Sequence, residues 1–327
     1  MQGKKETALW QWLLFDAGLP ANQAKQLLLL LAETGFSLQD FLTLTPDQLK
    51  TNGLDAYQHL LDRQPQIEIK NEAIRWNDPF YPPGLTGIPV KYRPALLFVI
   101  GNTHLLEREM VFLIPGEIPD AVGDLASGTI EILFDSRYIP VALDRSPQAD
   151  LLLSSMAYGD GEAILCVDQG MENWQPSTSV ATYIKHERLL ALSPMPPATP
   201  ANPKLTPVIT ALMAASAVRW VGTPYHHPIA GLEMITRPTL CLVPGPATVE
   251  KTEPNVTRAA DISDAIAWLQ DAEPLNPGQS DPALGLPTVE KQPVDNTQPP
   301  LSRDAILAIL ETGGKIPEVL LKRLRGE

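Results

Sequence analysis

Seven short apolar runs set the strongest limit on what this chain can fold into. Residues 96–100, 111–114, 139–143, 163–167, 189–192, 218–221 and 239–243 are mainly continuous rather than alternating in their apolar character. A strand with one wet face would alternate, so such runs mark strands covered on both faces. Helical stretches near residues 121–136, 147–158, 177–187, 206–216 and 229–235 lie between them. Strand and helix repeating in this order predict a mostly parallel sheet with helices on both faces, an α/β fold. A further helix is expected over residues 260–270, with Asp261 and Ser263 near its start.

The first 65 residues have a different pattern. Helices are expected over 9–17, 22–34, 37–43 and 45–52, separated by Gly18-Leu19-Pro20 and closed by Gly35 and Gly53. Thr45 followed by Pro46 is an N-cap with proline at the first helical position. Four short helices make a small all-α domain of the sterile-alpha-motif or helix-hairpin-helix type. Such a module either packs and oligomerises or touches DNA directly. The Gly18 turn lacks the second glycine that lets a phosphate approach backbone N–H groups. Residues 66–95 are extended and proline-rich, and residues 271–300 have the composition of a disordered linker. A helical hairpin around Gly313-Gly314 is expected over 301–327, ending in Lys322-Arg323-Leu324-Arg325. The domain organisation is thus 1–65, 66–270, 271–300 and 301–327.

Charge removes the simplest route to polyanions. There are 38 acidic and 25 basic residues, a net charge of −13. Residues 115–175 hold 11 acidic and 2 basic residues, and therefore −9 of that total. No global field draws in DNA or anionic lipid, so any nucleic-acid contact must be local. No purely apolar run is longer than that around residues 27–32, far short of the roughly 20 residues that cross a bilayer. The polar N-terminus shows no signal peptide. Cys166 and Cys241 sit inside apolar runs and read as buried hydrophobes, so a cytoplasmic protein without disulfides is expected. No Cys/His group has zinc spacing, and Tyr225-His226-His227, bracketed by Pro224 and Pro228, reads as a solvated loop. Neither a metal nor a cofactor is expected. The six tryptophans either stack bases or, at helix and strand positions, pack in the core.

One segment is far more specific than a lone glycine motif. It runs Trp76-Asn-Asp-Pro-Phe-Tyr-Pro-Pro-Gly-Leu-Thr-Gly-Ile88, then Pro94-Ala-Leu-Leu-Phe-Val-Ile-Gly-Asn102, then Leu105-Leu106. It resembles the opening of the Rossmann-like core of the DNA-processing protein A family (DprA, also called Smf). That pattern is Y-P-x-x-L-x-x-I, P-x-x-L-F-x-x-G-N and L-L. Tyr81, Pro82, Leu85, Ile88, Pro94, Leu97, Phe98, Gly101, Asn102, Leu105 and Leu106 match it. Weaker likenesses follow in order at residues 163–168, 189–197, 211–221 and 239–245. The resemblance covers about residues 8–270. It implies a Rossmann-like sheet behind a small helical domain, with the C-terminal hairpin a truncated winged-helix remnant. It also implies a non-enzymatic protein that binds single-stranded DNA and loads a RecA-like recombinase during natural transformation, with a homodimer as the working form.

The chain departs from the family at three loops. G-x-R-x-x-[ST]-x-Y-G becomes Pro115-Gly-Glu-Ile-Pro-Asp120, where Gly116 can stand for the first glycine and Ile118 takes the arginine position. S-G-x-A-x-G-I-D becomes Leu143-Asp-Arg-Ser-Pro-Gln-Ala-Asp150, with Arg145 a displaced phosphate contact or a surface partner of Asp144. The basic F-P-R-R-N-R stretch becomes Pro203-Lys-Leu-Thr-Pro207, which leaves Lys204. Contacts to DNA, if retained, are expected at Gly116, Arg145, Lys204 and Arg219. The other reading is a Rossmann scaffold that has lost DNA binding and acts through protein–protein interaction. An enzyme acting on nucleotides comes third. The related phosphoribohydrolases carry P-G-G-x-G-T with a catalytic glutamate, and neither Gly222-Thr223 with Glu233 nor Pro244-Gly-Pro246 reproduces that spacing.

Overall fold

The computed structural model describes residues 2–63, 65, 72–88, 90, 92–224, 237–245 and 255–270. They belong to one compact unit spanning Met1–Leu286. The helix expected over 229–235, the Tyr225–His227 loop, the linker over 271–300 and the hairpin over 301–327 lie outside the described residues.

Four helices open the chain: α1 (Gln2–Gln11), α2 (Ala21–Thr34), α3 (Leu38–Phe41) and α4 (Pro46–Thr51). The first begins earlier than its apolar residues suggest and ends in a π-helical turn, Trp12–Asp16. Ser37 and Thr45 close capping boxes on α3 and α4, each satisfying the first free N–H groups of its helix. Gly35 ends α2 at φ 74°, a left-handed cap that costs a β-carbon-free residue nothing. The Gly18 turn is covered from within, because the Arg63 guanidinium donates to the Ala17 carbonyl.

The sheet has nine strands: β1 (Ala73–Arg75), β2 (Leu96–Gly101), β3 (Glu109–Leu113), β4 (Tyr138–Leu143), β5 (Ala163–Cys166), β6 (Leu189–Ser193), β7 (Arg219–Gly222), β8 (Thr239–Leu242) and β9 (Val256–Ala259). Their order across the sheet is β1-β2-β6-β5-β4-β3-β7-β8-β9. All seven predicted strands are present. From β6 to β9 every neighbouring pair is parallel. Only β2 is reversed, pairing antiparallel with both β1 and β6. The mostly parallel Rossmann-type α/β architecture is therefore as the sequence implies, with two strands it did not announce. β1 is three residues long inside the stretch read as merely extended, together with a short helix α5 (Pro83–Thr86). β9 carries Thr257 and Arg258 and lacks the apolar run that marks a doubly covered strand.

The remaining helices are α6 (Asp120–Phe134), α7 (Pro147–Met156), α8 (Thr178–Lys185), α9 (Thr206–Ser216) and α10 (Ile262–Gln270). Strand side chains alternate between two cores. Phe98, Val111, Ala142, Leu165 and Ala191 join one core with α6, α7 and the N-terminal helices. Leu97, Val99, Phe112, Val141, Ile164 and Leu190 join the other with α5 and α9. Coverage on both faces is why β4, β5 and β6 are buried at every position. The N-terminal helices share the first core directly. Trp10 meets Trp76 edge to face at 5.7 Å, and Phe15 lies 6.0 Å from Phe98.

The most specific sequence motif is a packing motif. Tyr81, Leu85, Leu97, Phe98, Leu105 and Leu106 are all buried. The Tyr81 hydroxyl donates to the Pro94 carbonyl at 2.7 Å, and burial holds its ionisation well above the usual phenol range. Asn102 accepts from the His104 N–H and donates to the Glu187 carbonyl.

Candidate nucleic-acid interface

In a doubly wound sheet, ligands sit outside the carboxyl ends of the strands where the strand order reverses. Here the chain builds outward from β3 through β4 and β5 to β6. It then returns through α9 to place β7 on the other side of β3. The reversal lies between the loop after β3, which holds Gly116, and the loop after β7, which holds Thr223. The structure ties these loops together, since the Thr223 hydroxyl donates to the Glu117 carbonyl at 2.8 Å.

Gly116 is buried and its backbone is engaged on both sides. Its N–H donates to Gln148 Oε1 at 3.2 Å, and its carbonyl accepts from Gln148 Nε2 at 2.9 Å. Gln148 stands in the first turn of α7, directly after the turn that follows β4, and is 6% exposed. Nothing in the residue pattern links positions 116 and 148. The only signal was a polar residue where the resembling pattern carries glycine.

Arg145 occupies the turn between β4 and α7 at φ 62°, a left-handed conformation that costs an ordinary side chain roughly 1 kcal/mol. Its side chain is exposed, and its Nε lies 3.6 Å from Asp144 Oδ2. Asp144 Oδ2 also accepts from the Trp174 indole at 2.9 Å. Burial pushes the Asp144 carboxyl above its ordinary range, and Asp168 adds repulsion. The Trp174 hydrogen bond and Arg145 oppose both. Asp168 in turn accepts from the Thr206 hydroxyl at 2.7 Å, pinning the start of α9 to the loop after β5. Lys204 stands two residues before that anchor and is exposed. Gly116, Arg145 and Lys204 are thus all on the carboxyl rim of the parallel strands, with Asp144 and Asp168 between the two cations. Cys166 sits beneath them, fully buried. Desolvation and the two carboxylates push its thiol up, as expected of an inert hydrophobe.

Arg219 corrects the sequence reading that grouped it with these residues. It begins β7, at the opposite end of the strands, and is 8% exposed. Its guanidinium lies 4.7 Å from the Trp268 ring centre and 5.6 Å from that of Tyr138. Its Nη1 donates to the Trp268 carbonyl at 2.9 Å. A strand-initial arginine flanked by apolar residues looks free in sequence. Here the aromatic residues of β4 and α10 enclose it.

The raised Asp144 carboxyl gives a signed prediction. The native state holds this proton more tightly than the unfolded chain, whose value is near 3.8. The group therefore favours folding most at strongly acidic pH, and that contribution falls as pH rises through 3.8 towards the folded value. Asp144→Asn keeps an acceptor for Trp174 and removes the loss. Its melting temperature is expected to exceed that of the parent at neutral pH and to match it in strong acid. Equal values at neutral pH would contradict this account.

No group of three or more acidic, histidine or cysteine side chains able to hold a metal occurs among the described residues. No described helix is long and apolar enough to cross a membrane. No protein family's sequence profile matches the chain, and no curated protein sequence matches it. Solved structures similar to it include two DNA processing proteins. One is DNA processing protein A (DprA) from Streptococcus pneumoniae, at 16% identity and TM-score 0.49, covering 78% of this chain and 95% of that one. The other is DNA processing protein A from Helicobacter pylori, described for its single-stranded DNA binding mode, at 12% identity and TM-score 0.47, covering 62% of this chain and 99% of that one.

Proposed function

We propose that this chain is a non-enzymatic, DprA-like protein of the cytoplasm that binds single-stranded DNA weakly and presents it to a RecA-like recombinase, as a homodimer, in DNA uptake and transformation. The observation that supports this reading is that two exposed cations, Arg145 and Lys204, both stand on the carboxyl rim of the parallel strands. The buried Tyr81–Leu106 motif supports the same family. Weakness follows from the rim's composition: Arg145 and Lys204 share it with Asp144 and Asp168, and a carboxylate beside a cation offsets its attraction for phosphate.

A second reading is favoured by one specific observation, the closure of Gly116 by Gln148. On that reading the fold is a scaffold for protein partners and DNA binding is gone.

Titrating an oligothymidylate at several salt concentrations separates the two. Two phosphate-neutralising cations give a slope of log K against log salt of about −1.4. Replacing either Arg145 or Lys204 with alanine is expected to halve that slope. No detectable binding at low salt leaves the scaffold reading standing. Co-precipitation with a RecA-like recombinase, with and without DNA, tests the partner.

A further inference from the structure

We propose that Gln148 is a built-in occupant of the Gly116 position, and that among the described residues bound phosphates reach the rim through Arg145 and Lys204 while Gln148 stays in place. This rests on the reading of the rim as an anion-binding edge and says which part of that edge is open.

Three observations carry it. First, Gln148 satisfies both polar groups of one residue, pairing Nε2 with the Gly116 carbonyl and Oε1 with the Gly116 N–H. A primary amide has a donor and an acceptor side by side, so it fits a peptide unit edge-on. The phosphodiester of a DNA backbone has only acceptors at neutral pH and can replace only one half of that pairing. Taking the N–H leaves Gln148 Oε1 without its donor, and any swing of the amide to make room breaks the Nε2 bond as well; at 6% exposure such unmade hydrogen bonds are costly. Second, Gln148 cannot swing out by a change of loop alone. It lies on α7, whose first turn is held by Pro147 and by the Ser146 hydroxyl accepting from the Ala149 N–H. Third, the loop's other exit is held by the Thr223 bond to the Glu117 carbonyl, and Glu117 itself repels an incoming anion.

The consequence is a division of labour along the rim. The loop after β3, at the reversal point, is closed by a neutral side chain. Among the described residues, the exposed cations Arg145 and Lys204 lie after β4 and before α9. A bound strand would therefore run along the β4–β5–β6 side of the edge and not across the reversal point.

The test uses the full chain with glycine-selective nitrogen labelling, so that the Gly116 amide resonance is followed directly. Oligothymidylate and, separately, inorganic phosphate are titrated into the parent, Gln148→Ala and Gln148→Ser. In the parent the Gly116 amide is expected to stay fixed with either probe. In the folded variants it is expected to shift with phosphate, and oligothymidylate is expected to bind about tenfold tighter with an unchanged salt slope, because an N–H releases no counterion. A Gly116 shift in the parent overturns the proposal. So does a folded variant whose Gly116 amide ignores phosphate. If no protein binds oligothymidylate but the variants respond to phosphate at Gly116, the DNA reading fails and the role of Gln148 stands. If both variants fail to fold, the parent titration decides alone: a fixed Gly116 amide at saturating phosphate supports closure, and a moving one refutes it.

Discussion

Gly101→Ala is expected to lower stability by roughly 3–5 kcal/mol. Two costs combine at this position. Gly101 has φ 116°, a region that side chains avoid. A β-carbon there would also collide with the backbone carbonyl of Leu189 in the neighbouring strand. Neither strand can yield easily. Gly101 is the last residue of β2 and pairs with Leu190, and β6 behind it is buried at every position. In a domain of this size the change corresponds to a melting temperature lower by about 10 °C. A shift of only a degree or two would mean that β2 is free to move away from β6.

Arg219→Ala is expected to cost about 3 kcal/mol of stability while leaving oligothymidylate affinity and its salt slope unchanged. The guanidinium fills the space between Tyr138 and Trp268 and donates to a buried carbonyl. Removing it empties that space and strands the Trp268 carbonyl. The same guanidinium is one of the three cations that an electrostatic argument from sequence assigns to DNA. Chemical denaturation and a two-salt titration on the same preparation separate these roles. Loss of affinity in a fully folded variant would return Arg219 to the interface.

What the sequence made legible follows from the range of the interactions involved. Continuous apolar runs located β2 to β8 because burial on both faces leaves a local mark in each strand. β9 left no such mark, since Thr257 and Arg258 lie on an edge strand. The reversal of β2 was not legible either, because strand direction is set by a connection rather than by composition. At the site, the three degraded loops drew attention to Gly116, Arg145 and Lys204, and all three lie on the carboxyl rim of the parallel strands. The pairing of Gly116 with Gln148 and the enclosure of Arg219 were invisible. Both depend on contacts between residues 32 and 49 positions apart, which periodicity does not report.

The strand order also governs what happens while the chain is being made. β3 is central, and its two neighbours appear at very different times. Met110 meets Ile139 in β4, but Val111 waits for Arg219 in β7, which is 219 − 111 = 108 residues later. At ordinary rates of synthesis that interval lasts about 5–20 s. Throughout it, Val111, Phe112 and Leu113 present an apolar strand edge with no neighbour on one side. An interior strand of the finished sheet thus keeps one bare edge while the chain is being made, and substitutions in β7 are expected to lower the yield of newly made protein.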